Sequence, residues 1–290
     1  MIDLHLHSTA SDGEDAPSEL IERAEKLQLK AIALTDHDSI DGVEEFLSYG
    51  EKRDIIVLPG IEISIRHEPA RELIDVHIVG LNIDHTSPHL KRTLQDQLNG
   101  RLQQKRDICK RLREELNYDI TYEEVKAVAG GQTVGRPHIV QIMIKNNPQK
   151  VEGKTKNELF KMISIGGAAF VDRGFELNLE ESIEVIEASG GIPILAHPGI
   201  YETEDRAKFV KMCVEAGIKG IEIEYPYNKN RPWVNTDRKE WAQEFLPEFF
   251  RKQAEKLDLI KSGGSDYHGG KKDIEIGEAR VPDAYLKRFL

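Results

Sequence analysis

Met1-Ile2-Asp3-Leu4-His5-Leu6-His7 sets two histidines two residues apart inside an apolar alternation, and Ser8-Thr9-Ala10-Ser11-Asp12-Gly13 follows. On a β-strand successive side chains point to opposite faces. His5 and His7 therefore share one face, and Ile2, Leu4 and Leu6 share the other. Two adjacent imidazoles are poor core residues but good partial ligation for a divalent transition metal. A solvated strand face carries the same pair equally well, so the pair alone does not choose.

Further stations of the same kind recur along the chain. Ala31-Ile32-Ala33-Leu34 runs into Thr35-Asp36-His37-Asp38, and Val57-Leu58-Pro59-Gly60-Ile61-Glu62-Ile63-Ser64 buries a carboxylate in an apolar context, where an unpaired one is costly. Ile74-Asp75-Val76-His77-Ile78-Val79-Gly80 puts His77 mid-strand, and Ile194-Leu195-Ala196-His197-Pro198-Gly199 ends a strand on His197. Beyond the last strand, Ser265-Asp266-Tyr267-His268-Gly269 offers Asp266 and His268 at spacing two. Taken singly, each has an ordinary structural reading: a hydrogen-bonded strand histidine, an arginine partner for Glu62, a turn. Taken together, six of the ten histidines lie in or just beyond strand-like runs. In β/α barrels the strand C-terminal rim is where catalytic residues sit. His67, His85 and His89 lie in polar stretches and read as surface residues.

The elements that must position these residues alternate. Strands are expected at Ile2–Leu6, Ala31–Leu34, Ile55–Ile63, Ile74–Leu81, Ile192–Ala196, Gly220–Ile223 and Leu259–Gly263. Helices are expected at Pro17–Leu29, Ile40–Arg53, Leu179–Ser189, Asp205–Ala216 and Arg238–Lys256. Helix, glycine stop, strand and loop is the rhythm of a parallel β/α architecture. From 88 to 173 the rhythm breaks. A long polar helix (His89–Leu116), a capping box at Thr121-x-x-Glu124, then Arg136–Lys145 and Lys156–Ile165 precede a short strand-like run, Ala168–Val171. That is too much helix for a crossover, and predicts an inserted all-α subdomain (88–173) on a barrel domain formed by 1–87 and 174–290.

Bulk composition narrows the function classes. No apolar run is long enough to span a bilayer, and no secretory signal is visible. Cys109 and Cys213 cannot make a disulfide framework, so a reduced, cytoplasmic setting is expected. The net charge of −11 argues against a non-specific nucleic-acid binder. Lys91–Glu115 departs from it, with eight basic residues against four acidic. Such a stretch fits a solvated helix face, or a surface that guides a polyanion.

As an ordered set, His-x-His, Ser-Asp-Gly, Ala-Leu-Thr-Asp-His-Asp, Pro-Gly-Ile-Glu-Ile-Ser, the strand histidine before Gly-Leu-Asn, Ala-His-Pro-Gly and Gly-Ser-Asp-Tyr-His-Gly resembles the PHP (polymerase and histidinol phosphatase) family. Within it, the chain resembles the branch with a helical insertion, which includes 3′,5′-nucleoside bisphosphate phosphatases and 5′→3′ oligoribonucleases. The resemblance implies a distorted (β/α)7 barrel with an inserted all-α subdomain and a centre for three divalent ions. One ion would take His5, His7, Glu62 and Asp266; a second would share Glu62 and add His77 and His197; a third would take Asp12, His37 and His268. The mixed N/O donor set suits Mn²⁺, Zn²⁺ or Fe²⁺. A loaded site would be cationic enough to receive phosphate on an acidic protein.

The expected reaction is hydrolysis of a phosphomonoester of a small nucleotide, the 3′-phosphate of a 3′,5′-nucleoside bisphosphate. A water held between two cations would supply a metal-bridging hydroxide as the nucleophile. Asp36, beside His37, is a candidate proton relay or outer partner, and equally a strand-end cap. In Thr133-Val134-Gly135-Arg136-Pro137-His138 a loop enters a helix, and the resemblance assigns Arg136 and His138 to substrate phosphate; a cap and a salt bridge are the structural alternative. Expected partners are a small phosphorylated nucleotide or short RNA, with neither membrane nor long nucleic acid. Rival readings are a 5′→3′ exonuclease on short RNA, a histidinol-phosphate phosphatase and a catalytically silent accessory module. The polar stretch Arg66–Glu72 could reshape the pocket mouth.

Overall fold

The computed structural model describes residues 1–130, 134–270 and 273–290. Its contacts divide the chain into two units: Met1–Leu94 with Leu177–Leu290, and Gln95–Glu176. The expected inserted segment, 88–173, begins a few residues earlier because one helix, Pro88–Glu114, runs through the first boundary.

The first unit is a seven-stranded sheet in sequential order: β1 (Ile2–Leu6), β2 (Ala31–Leu34), β3 (Ile56–Ser64), β4 (His77–Leu81), β5 (Ile192–Leu195), β6 (Gly220–Glu224) and β7 (Ile260–Gly263). It is nearly closed into a barrel. Beyond β7 the chain comes back alongside β1: the Asp266 N–H donates to the His5 carbonyl at 3.0 Å and the His7 N–H to the Tyr267 carbonyl at 3.0 Å. Gly264 permits this, since a Cβ there would lie 2.5 Å from the His5 backbone nitrogen. Asp3 ties the same seam, its carboxylate accepting from the Ser265 N–H at 2.9 Å and the Gly277 N–H at 2.7 Å.

One strand corrects the parallel expectation. β4 runs antiparallel to both β3 and β5, while the remaining pairs are parallel. Parallel pairing of β3 with β4 would need a helical crossover of a dozen or more residues. The polar connection 65–76 instead carries a 3₁₀ turn at Pro69–Arg71 and a Glu68–Leu73 antiparallel bridge, which return the chain directly.

Outside the barrel lie α1 (Pro17–Lys26), α2 (Val43–Gly50), α8 (Leu179–Ala188), α9 (Arg206–Ala216) and α10 (Lys239–Lys256). Barrel strands are apolar on both faces, packing inward on themselves and outward on these helices. The helical unit holds most of α3 (Pro88–Glu114), then α4 (Tyr122–Ala129), α5 (Arg136–Asn146), α6 (Pro148–Val151) and α7 (Lys156–Met162). It has its own core around Ile108, Leu112, Ile120, Ile139 and Met143. The capping box predicted at Thr121 opens α4, with the Glu124 N–H donating to Thr121 Oγ1 and the Thr121 N–H to Glu124 Oε2. The expected strand-like run at Ala168–Val171 is irregular, with no strand for it to pair with among the described residues of this unit. No helix among the described residues is long and apolar enough to cross a membrane.

Candidate metal centre

The reversal of β4 has a consequence for the site. Ser64 pairs with His77, so the first residue of β4 lies at the rim where the parallel strands end. Glu62 on β3, His37 beyond β2, His197 beyond β5, and Asp266 and His268 beyond β7 converge there with His5 and His7. His197 and Asp266 both turn the chain through positive φ, at +27° and +56°. Non-glycine residues adopt this conformation uncommonly, and such residues cluster at functional sites.

Glu62 is the hub. Its Oε1 lies 2.9 Å from His77 Nδ1 and 2.9 Å from His197 Nε2. Its Oε2 lies 2.9 Å from His37 Nδ1 and 3.3 Å from the Nε2 atoms of both His5 and His7. Asp266 Oδ1 sits 3.2 Å from His7 Nε2 and 3.7 Å from His5 Nε2. Asp12 Oδ1 sits 3.3 Å from His268 Nε2 and 3.9 Å from His7 Nδ1. All nine candidate ligands thus come together in one unit. Their donor atoms fall into overlapping groups able to hold metal: His7, Asp12, His37 and His268; His5, His7 and Asp266; His5, Glu62 and His197; His37, Glu62 and His77. His7 is shared more widely than the sequence suggested, one ring nitrogen facing Asp266 and the other Asp12.

The electrostatics follow from burial against crowding. Burial pushes Glu62 up, but His37, His5 and His77 outweigh it and hold the carboxyl well below its usual range. Burial opposes charge on His5 as well, yet Glu222 and Glu62 raise its pKa well above the ordinary value. His37 rises to about 9 despite burial, through Glu62. His7 is lowered, by burial and by His268 and His37.

The residues fit divalent metal on two structural grounds. His7 Nδ1, His37 Nδ1 and Glu62 Oε2 are buried without an oriented hydrogen bond, which is costly unless another partner satisfies them. Several rings are also held from behind. His5 Nδ1 pairs with Glu222 Oε1 at 2.9 Å, His197 Nδ1 with the Tyr201 hydroxyl at 3.0 Å and His268 Nδ1 with the Asp266 carbonyl at 2.8 Å. Each leaves Nε2 facing the cluster, the arrangement that fixes ligating histidines. Tyr225 donates to Asp266 Oδ2 at 2.8 Å.

Glu222, Tyr201 and Tyr225 were not singled out from sequence. A signal for Glu222 existed: it is a carboxylate inside Gly220-Ile221-Glu222-Ile223, the same anomaly that marked Glu62. Asp36 is 1% exposed and belongs to none of the metal-competent groups. Its carboxylate accepts from the Ser8 N–H at 2.8 Å, the Ser8 hydroxyl at 2.6 Å and the Ser11 hydroxyl, so it clamps the loop that carries Asp12. In the helical unit, Arg136 is exposed at the start of α5 and donates to Ser164 Oγ at 3.2 Å. His138 caps that helix, its Nδ1 accepting from the Gly135 N–H at 3.0 Å. Thr133, first in that string, lies outside the described residues.

The PHP domain family matches residues 3–168. The chain belongs to the PHP family. Among PHP relatives, a 5′-3′ exoribonuclease of Haemophilus influenzae is 32% identical over 95% of this chain and 93% of its own length. A 3′,5′-nucleoside bisphosphate phosphatase of Chromobacterium violaceum is 28% identical over 97% of this chain and 93% of its own. A solved structure from Bifidobacterium adolescentis, assigned as a metal-dependent phosphoesterase, superimposes with a TM-score of 0.73 at 25% identity, covering 100% of this chain and 95% of that one. As a PHP phosphoesterase, the protein is a metal-dependent hydrolase of phosphate esters.

Proposed function

We propose that this PHP protein breaks the bond between phosphorus and the 3′-oxygen of a 5′-phosphorylated nucleotide, with a 3′,5′-nucleoside bisphosphate as substrate. The observation that carries the reading is the convergence of nine ligand-competent side chains on Glu62 at the rim of the barrel. In this reading His5, His7, Glu62 and Asp266 hold one divalent ion; Glu62, His77 and His197 hold a second; Asp12, His37 and His268 hold a third. Mn²⁺, Zn²⁺ and Fe²⁺ match the donor set. Bound cations would make water nucleophilic near neutral pH and draw charge from the phosphoryl oxygens in the transition state.

The chain's own residues supply position and charge. Glu222 and Tyr201 orient the rings of His5 and His197. Asp36 holds the 8–11 segment, which places Asp12 at the exposed mouth. Arg136 offers a guanidinium fork suited to phosphate oxygens, and His138 orders the turn from which it projects.

Exonucleolytic cleavage of short RNA is the second reading, and the 32% identity to an exoribonuclease favours it. The two readings share one bond. Water attacks phosphorus and the 3′-oxygen leaves, releasing inorganic phosphate from a bisphosphate or a shortened 5′-phosphorylated strand from RNA. They differ only in what else the phosphorus carries. The test is a panel of nucleoside 3′,5′-bisphosphates, short 5′-phosphorylated RNAs and histidinol phosphate with added Mn²⁺. The reading requires the highest kcat/KM on a bisphosphate. A preference for RNA would move the assignment to the exonuclease, and one for histidinol phosphate would overturn both.

A further inference from the structure

The chain has two tryptophans, and they lie together beyond β6 with ring centroids 5.6 Å apart. Trp233 is anchored, its Nε1 donating to the Gly199 carbonyl at 2.9 Å in the segment that leaves β5. Two guanidiniums sit over these rings. Arg206 is 5.8 Å from the Trp233 centroid, and Arg238 is 5.8 Å from Trp233 and 4.2 Å from Trp241. Neither arginine makes an ion pair among the described residues, in a chain where acids outnumber bases 51 to 40. Trp233 and Arg206 also line a cavity of about 390 Å³, together with Tyr201 and Thr203. Small-molecule sites fall within roughly 300–1,000 Å³. Arg206 Nε and Thr203 Oγ1 are buried without a hydrogen-bond partner, which is costly unless a polar group meets them. The cavity adjoins the metal centre through Tyr201, whose hydroxyl accepts the His77 N–H and pairs with His197 Nδ1, both at 3.0 Å.

We propose that Trp233, Arg206 and Arg238 form a nucleotide-binding site beside the metal centre, separate from the position of the phosphate that is hydrolysed. The base enters the cavity against Trp233, as bases stack on aromatic rings and on arginine planes. Arg206 and Arg238 take its phosphate, which their planar forks match. Glu72, Glu202 and Glu204 line the same cavity, and as carboxylates they accept from the N–H groups of a base. Simpler ligands fit less of this set. Inorganic phosphate would leave the aromatic wall unused beside three carboxylates, and a cation would meet two arginines. The occupant has two possible sources. One is the next nucleotide of an RNA strand cleaved at the metal centre, an option that rests on the exonuclease reading above. The other is a free mononucleotide.

Both tryptophans belong to this cluster, so tryptophan emission is its built-in reporter. The test is titration of the full-length protein, metal-loaded and after chelation, with adenosine 5′-monophosphate. Wild type should show saturable quenching in both forms. Arg238→Gln and Arg206→Gln should each raise Kd by about tenfold or more. Arg238 is exposed, so its replacement spares the fold, and thermal melts verify folding in both variants. Unchanged emission in wild type, or equal Kd in wild type and both folded variants, would overturn the site. So would an equal response to inorganic phosphate, which carries no base.

Comparing KM for a 5′-phosphorylated adenylyl dinucleotide and adenosine 3′,5′-bisphosphate identifies the occupant. If Arg238→Gln raises KM for the dinucleotide alone, the site holds the next nucleotide of the strand. If quenching weakens while both KM values stay, the site holds a free nucleotide. Should wild type hydrolyse neither substrate, the proposed function fails while the titration still decides the site.

Discussion

Glu222 Oε1 lies 2.9 Å from His5 Nδ1, and its Oε2 accepts the His197 N–H at 2.7 Å. One fully buried carboxylate on β6 thus fixes a ring from β1 and the chain leaving β5. The carboxylate can only accept, so His5 carries a proton on Nδ1 and presents Nε2 to the cluster. Glu222→Gln keeps shape and the backbone bond but removes the charge that supports His5. Metal affinity, measured by chelator competition, should fall about 10- to 100-fold with secondary structure intact. Unchanged affinity would reduce Glu222 to a packing residue.

Glu62 gives the next expectation. A single carboxylate placed 2.9–3.3 Å from five imidazoles cannot be replaced by its neighbours. Glu62→Ala, like Asp12→Ala and His197→Ala, should lower turnover by orders of magnitude while the barrel stays folded. Exhaustive chelation of wild type should do the same, and Mn²⁺ should restore activity. Undiminished turnover after chelation would refute the metal assignment.

Eight of the nine candidate ligands were legible because each breaks a local rule: a histidine or carboxylate in, or just past, an apolar strand; Asp12, in a polar turn beyond β1, came only through the resemblance. Glu222 breaks the same rule but was hidden by Glu224 two residues on, which makes β6 read as an ordinary strand with one polar face. In a barrel both strand faces are covered, so that alternation does not mark a wet side. The direction of β4 was illegible for a different reason. Periodicity reports which face a residue takes, and it says nothing of which way the strand runs. Only the length and turn content of 65–76 carried that information. Pairing among the histidines was beyond sequence altogether, since it depends on which ring nitrogen each outer partner occupies.

Asp36 separates two roles that sequence left open. Its bonds to Ser8 and Ser11 make it a clamp on the segment bearing Asp12. Asp36→Asn should therefore lower thermal stability and loosen metal retention, while the pH profile of kcat keeps its limbs. A proton relay predicts the reverse: intact metal content and a lost or shifted limb. Measuring metal content beside the pH–rate profile decides between them.

Arg136 is exposed and donates to a serine hydroxyl, so its removal costs the fold little. Arg136→Ala should raise KM for doubly phosphorylated nucleotides by about tenfold or more, the scale of a charged hydrogen bond. A generic phosphomonoester with one phosphate should be less affected. An equal loss on both would mean that Arg136 does not read the second phosphate.

Lys105 imposes a pH dependence on stability whose sign can be worked out. It lies buried in α3, and burial lowers its folded pKa to about 7, against an ordinary 10.5 that the unfolded chain retains. Between these values the unfolded chain binds the extra proton, so this group makes stability rise with pH across that window. Below about pH 7 both states are protonated and the destabilisation is at its full extent. Burial raises the neighbouring Cys109 thiol to about 12, so in the folded protein it keeps its proton across this window. Lys105→Met removes the group, so in phosphate-free buffer the variant should exceed wild type in urea midpoint at pH 7, and the gap should narrow by pH 9. A gap that stays constant would show that Lys105 keeps its proton in the folded protein, which requires an acidic partner to hold it there.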